Sequence, residues 1–413
     1  RGLSDRTNRV GTLSFASLAD YSASRPFAAV LQRGDPRTVF IEKNVGGFFQ
    51  DEWQGRPGLS VAAGIRYDWQ NHFGDDNNFA PRLAFAWSPG RSQNWVIRSG
   101  AGFFYDRSGP GPVWDILRFN GVQLRRYVLS GAQIPAALDS FSGEDLPTSI
   151  HRLQSGVALP AVTQFGAGLE RQLTKKALLA ISYVGTRGVK QLRSRDANAP
   201  LPPLFGARPD PGVNVLRQIE SAGRMEGNSL EIGLRGDIAP RVTGMVQYVF
   251  GKTMASTGGV NWFPADSFSP WGEWGRSDTD RRHQFNLLAT AALHRWINLG
   301  VSAVAASGLP FNITTGRDDN RDGMAIDRPN GVSRNTGRGP DWIAIDLRWF
   351  HEFRFNPPRK DKSPSLTLGI DAFNALNRVN YQNYIGALTS PFFGRAVSTL
   401  PPRRLQLSAR FQF

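Results

Sequence analysis

The sequence predicts an all-β fold, a transmembrane antiparallel β-barrel, from three observations. Apolar and polar residues alternate at period two over segments of about ten residues. The links between those segments switch regularly between short turns and long loops, as they do at the two rims of a membrane barrel. Aromatic residues gather near segment ends, where a bilayer has its headgroups. Composition agrees: of 413 residues, 44 are Gly, 27 Phe and 11 Trp, and only 20% are charged. That mix favours strands, tight turns and long loops.

The elements run in order. Weak alternation over Val10–Leu18 and Asn44–Trp53 precedes a regular strand from Leu59, with Leu59, Val61, Ile65, Tyr67 and Trp69 on one parity and Ser60, Arg66, Asp68 and Gln70 on the other. The pattern returns at Leu83/Phe85/Trp87, at Trp95/Ile97/Phe103/Tyr105, at Phe165/Leu169 and at Leu179/Ile181/Tyr183. It continues at Leu230/Ile232/Leu234, Val242/Val246/Tyr248/Phe250, Phe285/Leu287, Ile297/Leu299/Val301, Ile343/Ile345/Leu347/Trp349 and Leu366/Leu368/Ile370, and closes at Leu405/Leu407/Phe411/Phe413. This makes about fourteen strands. A tilted strand of about 9–11 residues crosses a bilayer, whereas strands of soluble sheets average nearer five or six.

Short links are expected at 55–58, 88–93, 173–176, 237–240, around His294 and at 356–364, and long ones at 19–43, 107–159, 189–226, 253–277, 308–340 and 377–401, with a shorter one at 71–78. They alternate strictly, so the chain should end at the short-turn rim. The apolar parity would face lipid. The other parity, with Arg66, Arg82, Arg98, Glu170, Glu231, Arg348 and Asp371, would line a wet, charged lumen. In a large soluble sandwich the same alternation would meet a second sheet; strand length and ring placement favour the membrane.

Cys is absent, which removes disulfides, thiolate metal sites and cysteine nucleophiles. No apolar run reaches the 18 or so residues of a helical span. The chain opens at Arg1 without a signal-like segment, and is expected to be an internal piece of a longer protein. Ser277, Asp280 and His283 lie close together, but Asp280 is on the other parity, so no enzyme is expected. The formal charge of +15 is spread along strands instead of clustered, which argues against nucleic acid.

Several stretches resemble one family. FFQDEWQGRPGLSVAAGIRYDWQ (48–70), FAPRLAFAW (79–87) and VIRSGAGFFYDR (96–107) are similar to the second half of the barrel in TonB-dependent outer-membrane receptors. ISYVGTRGVKQLRSRDANAP (181–200), SGLPFNITTGRDDNRDGMAIDRPNG (307–331), FNALNRVNY (373–381) and PPRRLQLSARFQF (401–413) resemble the Oar-like branch. Such a receptor has a barrel of about 22 strands closed by an N-terminal plug. The resemblance implies that residues 1–413 are the C-terminal part of such a barrel, with the plug, the first strands and the TonB box upstream. It implies TonB-dependent uptake of a large ligand of siderophore, oligosaccharide or peptide class, with outer-membrane lipid, the TonB system and the barrel-assembly machinery as partners. The competing function is a passive porin or a structural or adhesive outer-membrane barrel.

Three groups of residues are candidate sites. Trp114, Arg118, Arg125 and Arg126 in the longest loop, and Trp262, Trp271 and Trp274 in another, would grip ligand by ring stacking and cation attraction, or else pack the loops. Asp318, Asn320, Asp322 and Asp327 follow the D-x-N-x-D-G opening of a calcium loop, with Pro329 where an EF-hand would place Glu; Asx turns explain the same residues. Phe413 resembles the aromatic C-terminal signal read by the barrel-assembly machinery.

Overall fold

The structure, a computed structural model, describes residues 2–4, 9–15, 18–26, 28–90, 94–106, 109–130, 147–294, 296–355 and 364–413. Thirteen long strands form one barrel-type wall: β1 (Asn44–Arg56), β2 (Leu59–Gln70), β3 (Phe79–Trp87), β4 (Trp95–Tyr105), β5 (Ala161–Thr174), β6 (Ala177–Asp196), β7 (Val213–Ala239), β8 (Val242–Ala255), β9 (His283–His294), β10 (Ile297–Ala306), β11 (Trp342–Arg354), β12 (Ser365–Phe373) and β13 (Arg404–Gln412). Each pairs antiparallel with the next in this order. Among the described residues β1 has a register only with β2, and β13 only with β12. Every residue of β1 is exposed, as are all of β13 but one.

The rims alternate as expected. Short links follow β1, β3, β5, β7, β9 and β11, and longer ones follow the even strands, so β13 ends at the short-turn rim. The expected links at 88–93, near His294, at 356–364 and at 107–159 fall partly outside the described residues. At one tight turn the sequence need is clear: Gly236 has φ +111°, and a Cβ there would overlap the Lys176 carbonyl.

Two expectations need correction. Val10–Leu18 is not a wall strand: Thr12–Ser14 pairs with Ala28–Gly34, Leu18–Ser22 is helical, and residues 16–17 lie outside the described set. Three residues of alternation are too few to claim a place in the wall against a neighbouring loop segment. The loop expected at 189–226 is also much shorter, because β6 has 20 residues and β7 has 27. These two strands run well past the length a bilayer needs and carry their pairing into the loop layer, as far as Asp196↔Arg217.

The hydrophobic core sits in the loop layer, reached by Leu192 and Ile219 from the long-loop ends of β6 and β7. Phe40, Phe73, Val113, Val157, Leu159, Leu192 and Ile219 form a buried cluster above the long-loop rim, and Ala29, Leu31, Tyr127 and Leu129 form a second. The apolar parity of the wall stays open instead, with Leu83 at 58% and Leu407 at 80% exposure. A sandwich would bury that face; a face solvated by lipid does not. On the opposite parity Arg98 pairs with Glu170 at 2.9 Å and Arg348 with Asp371 at 3.5 Å. Between those charges the lumen side of β2–β5 is small-residued, through Ala62, Gly64, Ala84, Gly100, Gly102 and Gly166. No helix of the described residues is long and apolar enough to cross a membrane.

Candidate functional site: the cap of long loops

The long loops hold one another by ion pairs that each have at least one buried member. Arg328 is ion-paired to Glu273, the last residue of the short 3-10 turn Pro270–Glu273, and both side chains are almost fully buried. Glu273 also accepts from the Ala265 N–H at 2.8 Å. Arg334 donates to Asp278 at 2.7 Å and lies over the Trp262 ring at 4.9 Å. Arg208 bridges Asp196 at 2.6 Å and the Asp322 carbonyl at 2.6 Å. Burial pushes the Arg328 and Arg334 guanidiniums below their ordinary range, Arg328 to about 10. Charges placed this deep persist only because each has a partner.

The longest loop builds an arginine cluster. The helix Pro110–Arg118 starts with Pro in its first turn, where a missing N–H costs nothing. It brings Arg118 to Asp115 at 2.6 Å, and the other Asp115 oxygen lies 3.7 Å from Arg217 of β7. Arg126 reaches the same place from Leu124–Ser130, which pairs with Thr148–Leu153 at Arg126↔Ser149. That strand runs parallel to β7 and sets His151 beside Arg217. His151 packs on the Phe119 ring at 4.8 Å, and its Nδ1 is buried without a hydrogen-bond partner. Burial and then the charges of Arg217, Arg126 and Arg118 push this histidine down to about 3, so it is neutral. The Arg126 guanidinium is lowered too, mostly by burial.

The expected rim residues thus separate. Arg118 and Arg126 come together, while Arg125 lies opposite Arg33 on the neighbouring strand. Trp114 packs edge-on against Phe40 at 4.7 Å, as a core residue. Trp271 is 88% exposed and Trp274 38%. Trp262 lines a cavity of about 420 Å³ with Arg281 and Trp342. His151, Arg217 and Trp342 were not singled out from sequence; His151 and Arg217 fall in the expected loops 107–159 and 189–226, where no period marks a neighbour.

The acidic segment is drawn into turns. Asp318 accepts from the Gly323 N–H at 2.9 Å, Asp322 from Met324 at 2.8 Å and Asp327 from Asp319 at 2.8 Å. Asn320 accepts from Asp322 N–H at 3.0 Å and donates to the Ala265 carbonyl at 2.8 Å. Asp322 is buried, and desolvation together with Asp318 and Asp327 raises its carboxyl to about 6. Among the described residues no group of three or more His, Asp or Glu is arranged to hold a metal. Ser277, Asp280 and His283 take separate partners: Thr279, the Thr253 N–H and Tyr248. They form no relay.

With this geometry in place, the comparisons decide the family. The family described as "Outer membrane beta barrel domain" matches residues 73–333, more than half of the chain. The chain belongs to the outer-membrane β-barrel domain family. A second family, described as "TonB dependent receptor-like, beta-barrel", matches residues 2–124. Among curated proteins none matches.

Solved structures of outer-membrane transporters share the fold. The transporter YddB from Escherichia coli is 12% identical with a TM-score of 0.63, covering 92% of this chain and 46% of its own. A mutant form of the ferric enterobactin receptor PfeA from Pseudomonas aeruginosa is 13% identical with a TM-score of 0.57, covering 99% and 49%. The FrpB iron transporter from Neisseria meningitidis is 13% identical with a TM-score of 0.53, covering 95% and 48%. This outer-membrane barrel therefore spans about half the length of the structures it resembles, and its fold is the large antiparallel barrel of TonB-dependent receptors.

Proposed function

We propose that the chain supplies the C-terminal part of the barrel of an Oar-like, TonB-dependent receptor that takes up a large ligand of siderophore, oligosaccharide or peptide class. The observation that carries the reading is the pairing of the wall. Among the described residues β1 and β13 each have one partner strand, and the chain covers about half of each solved structure it resembles. An unpaired strand edge in lipid costs several kcal/mol for each unsatisfied group, so further strands of the longer protein complete the barrel. A plug preceding them couples to TonB. The cap of long loops, locked by Arg328–Glu273 and Arg334–Asp278, offers the outer face for ligand capture.

Growth tests this reading. A strain lacking the full gene should lose growth on the ligand, and a TonB-deficient strain should lose it equally. Ligand entry that persists without TonB would point to a passive porin. A stable channel with steady conductance from residues 1–413 alone, closed through β1 and β13, would do the same.

Calcium at Asp318, Asn320, Asp322 and Asp327 stays a proposal that rests on residue order and on the negative charge gathered near buried Asp322.

A further inference from the structure

The cavity of about 420 Å³ lies between the loop after β8, the start of β11 and the segment around Tyr384. Its size falls within the usual range of small-molecule pockets, about 300–1,000 Å³. Aromatic rings form its walls. Phe311 and Tyr384 stack on each other with centroids 5.2 Å apart and planes 27° apart. Trp262 and Trp342 contribute two more rings.

Its polar groups are one cation, one carboxylate, and several side-chain amides and tyrosine hydroxyls. Arg281 gives one bond to the Ser307 carbonyl at 2.6 Å and lies 5.4 Å from the Trp342 ring centroid. Among the described residues it forms no ion pair. The carboxylate in the lining, Asp278, is already held by Arg334 and Asn335, each at 2.7 Å. The cavity therefore presents an uncompensated cation, several aromatic rings and a set of side-chain amides. A ligand that answers all three carries a carboxylate, an apolar C–H face and groups that both donate and accept hydrogen bonds.

We propose that this cavity binds an acidic sugar residue, its carboxylate on Arg281 and its C–H face on the aromatic rings of the lining. The side-chain amides of Asn312, Gln382 and Asn383 in the lining can both donate to and accept from hydroxyl groups, which suits a saccharide better than an aromatic acid. The inference rests on the receptor reading and narrows it to acidic oligosaccharides.

The test uses the full-length receptor in detergent, with trigalacturonate, sialyllactose, galactotriose and 2,3-dihydroxybenzoate as probes, titrated calorimetrically. At least one acidic saccharide should bind about tenfold or more tightly than galactotriose, as expected for one charge-assisted contact. Arg281→Gln should erase that preference. Gln382→Ala, which removes a side-chain amide of the lining, should weaken acidic and neutral sugars alike. Both variants should keep the heat-dependent gel shift of a folded barrel, and if one does not, the other still decides. Equal binding of acidic and neutral sugars, a preference that survives Arg281→Gln, or binding of the dihydroxybenzoate alone would overturn the proposal. Growth separates the two readings: TonB-dependent growth with no acidic-sugar preference sinks the cavity assignment alone, whereas intact sugar binding with TonB-independent growth sinks the receptor reading.

Discussion

Arg328 and Glu273 stand 55 residues apart in the chain and form an ion pair in which both side chains are almost fully buried. The pair ties the segment between β8 and β9 to the segment between β10 and β11. Loops that would otherwise move independently become one cap. Removing one partner leaves the other charge buried and alone, at a cost of about 3–5 kcal/mol. Glu273→Gln should therefore open both loops to protease while the wall keeps its heat-dependent gel mobility. Loss of the gel shift together with the loops would place the pair in wall assembly instead.

His151 makes the inner part of the cap acid-sensitive. Its value falls from 6.5 to about 3 because it is buried among Arg118, Arg126 and Arg217, with Phe119 on its ring and Asp115 nearby. A lowered value means that the folded form refuses a proton the unfolded form accepts. Stability is then complete above about 6.5 and is lost as pH falls toward 3, by about 1.4 kcal/mol per pH unit. Hydrogen exchange over Thr148–Leu153 should accelerate in that window, and His151→Gln should flatten the dependence. An unchanged slope in that variant would assign the acid sensitivity to another group.

The two faces of the wall should answer differently to charge. Ile181 of β6 is on the apolar parity opposite Leu169 and Ile232, and Ser182 is on the other. Ile181→Arg should cost about 2–4 kcal/mol if it lies near the bilayer midplane, read as lower outer-membrane levels and a lower unfolding midpoint in urea. Ser182→Arg should cost much less. Equal losses would mean that both faces are wet.

Phe413 is 98% exposed, with the Phe411 ring 6.2 Å away. It contributes little packing, so a role in assembly would appear as a defect in delivery and not in stability. Phe413→Asp should lower outer-membrane levels far more than Gln412→Asp, with equal unfolding midpoints for the protein that does assemble. Equal delivery of both variants would remove Phe413 from the assembly signal.

Calcium is checked by chelation. If a cation relieves the charge around Asp322, chelator should increase cleavage within 308–340. Asp322→Asn, which keeps a turn acceptor but loses the charge, should abolish the difference. An unchanged protease pattern assigns the segment to its Asx turns.

The sequence by itself determined the wall. Period-two alternation decides which side of a strand is apolar, and a one-residue slip would reverse every side chain, so the lipid-facing parities of β2, β3, β9 and β10 were legible from the sequence. The alternation of link lengths likewise set the rim at which the chain ends. What the tertiary structure alone decided is the cap. Thr12–Ser14 went to a loop hairpin because pairing partners compete and a short strand carries no pattern strong enough to choose. Arg118, Arg126, His151 and Arg217 converge from four segments, and Trp262, Arg281 and Trp342 from two more, through contacts between residues distant in the chain. Such contacts leave no period in the sequence. The loop layer is held by individual buried partners such as Glu273–Arg328, and a partner is visible only once the chain has brought it there.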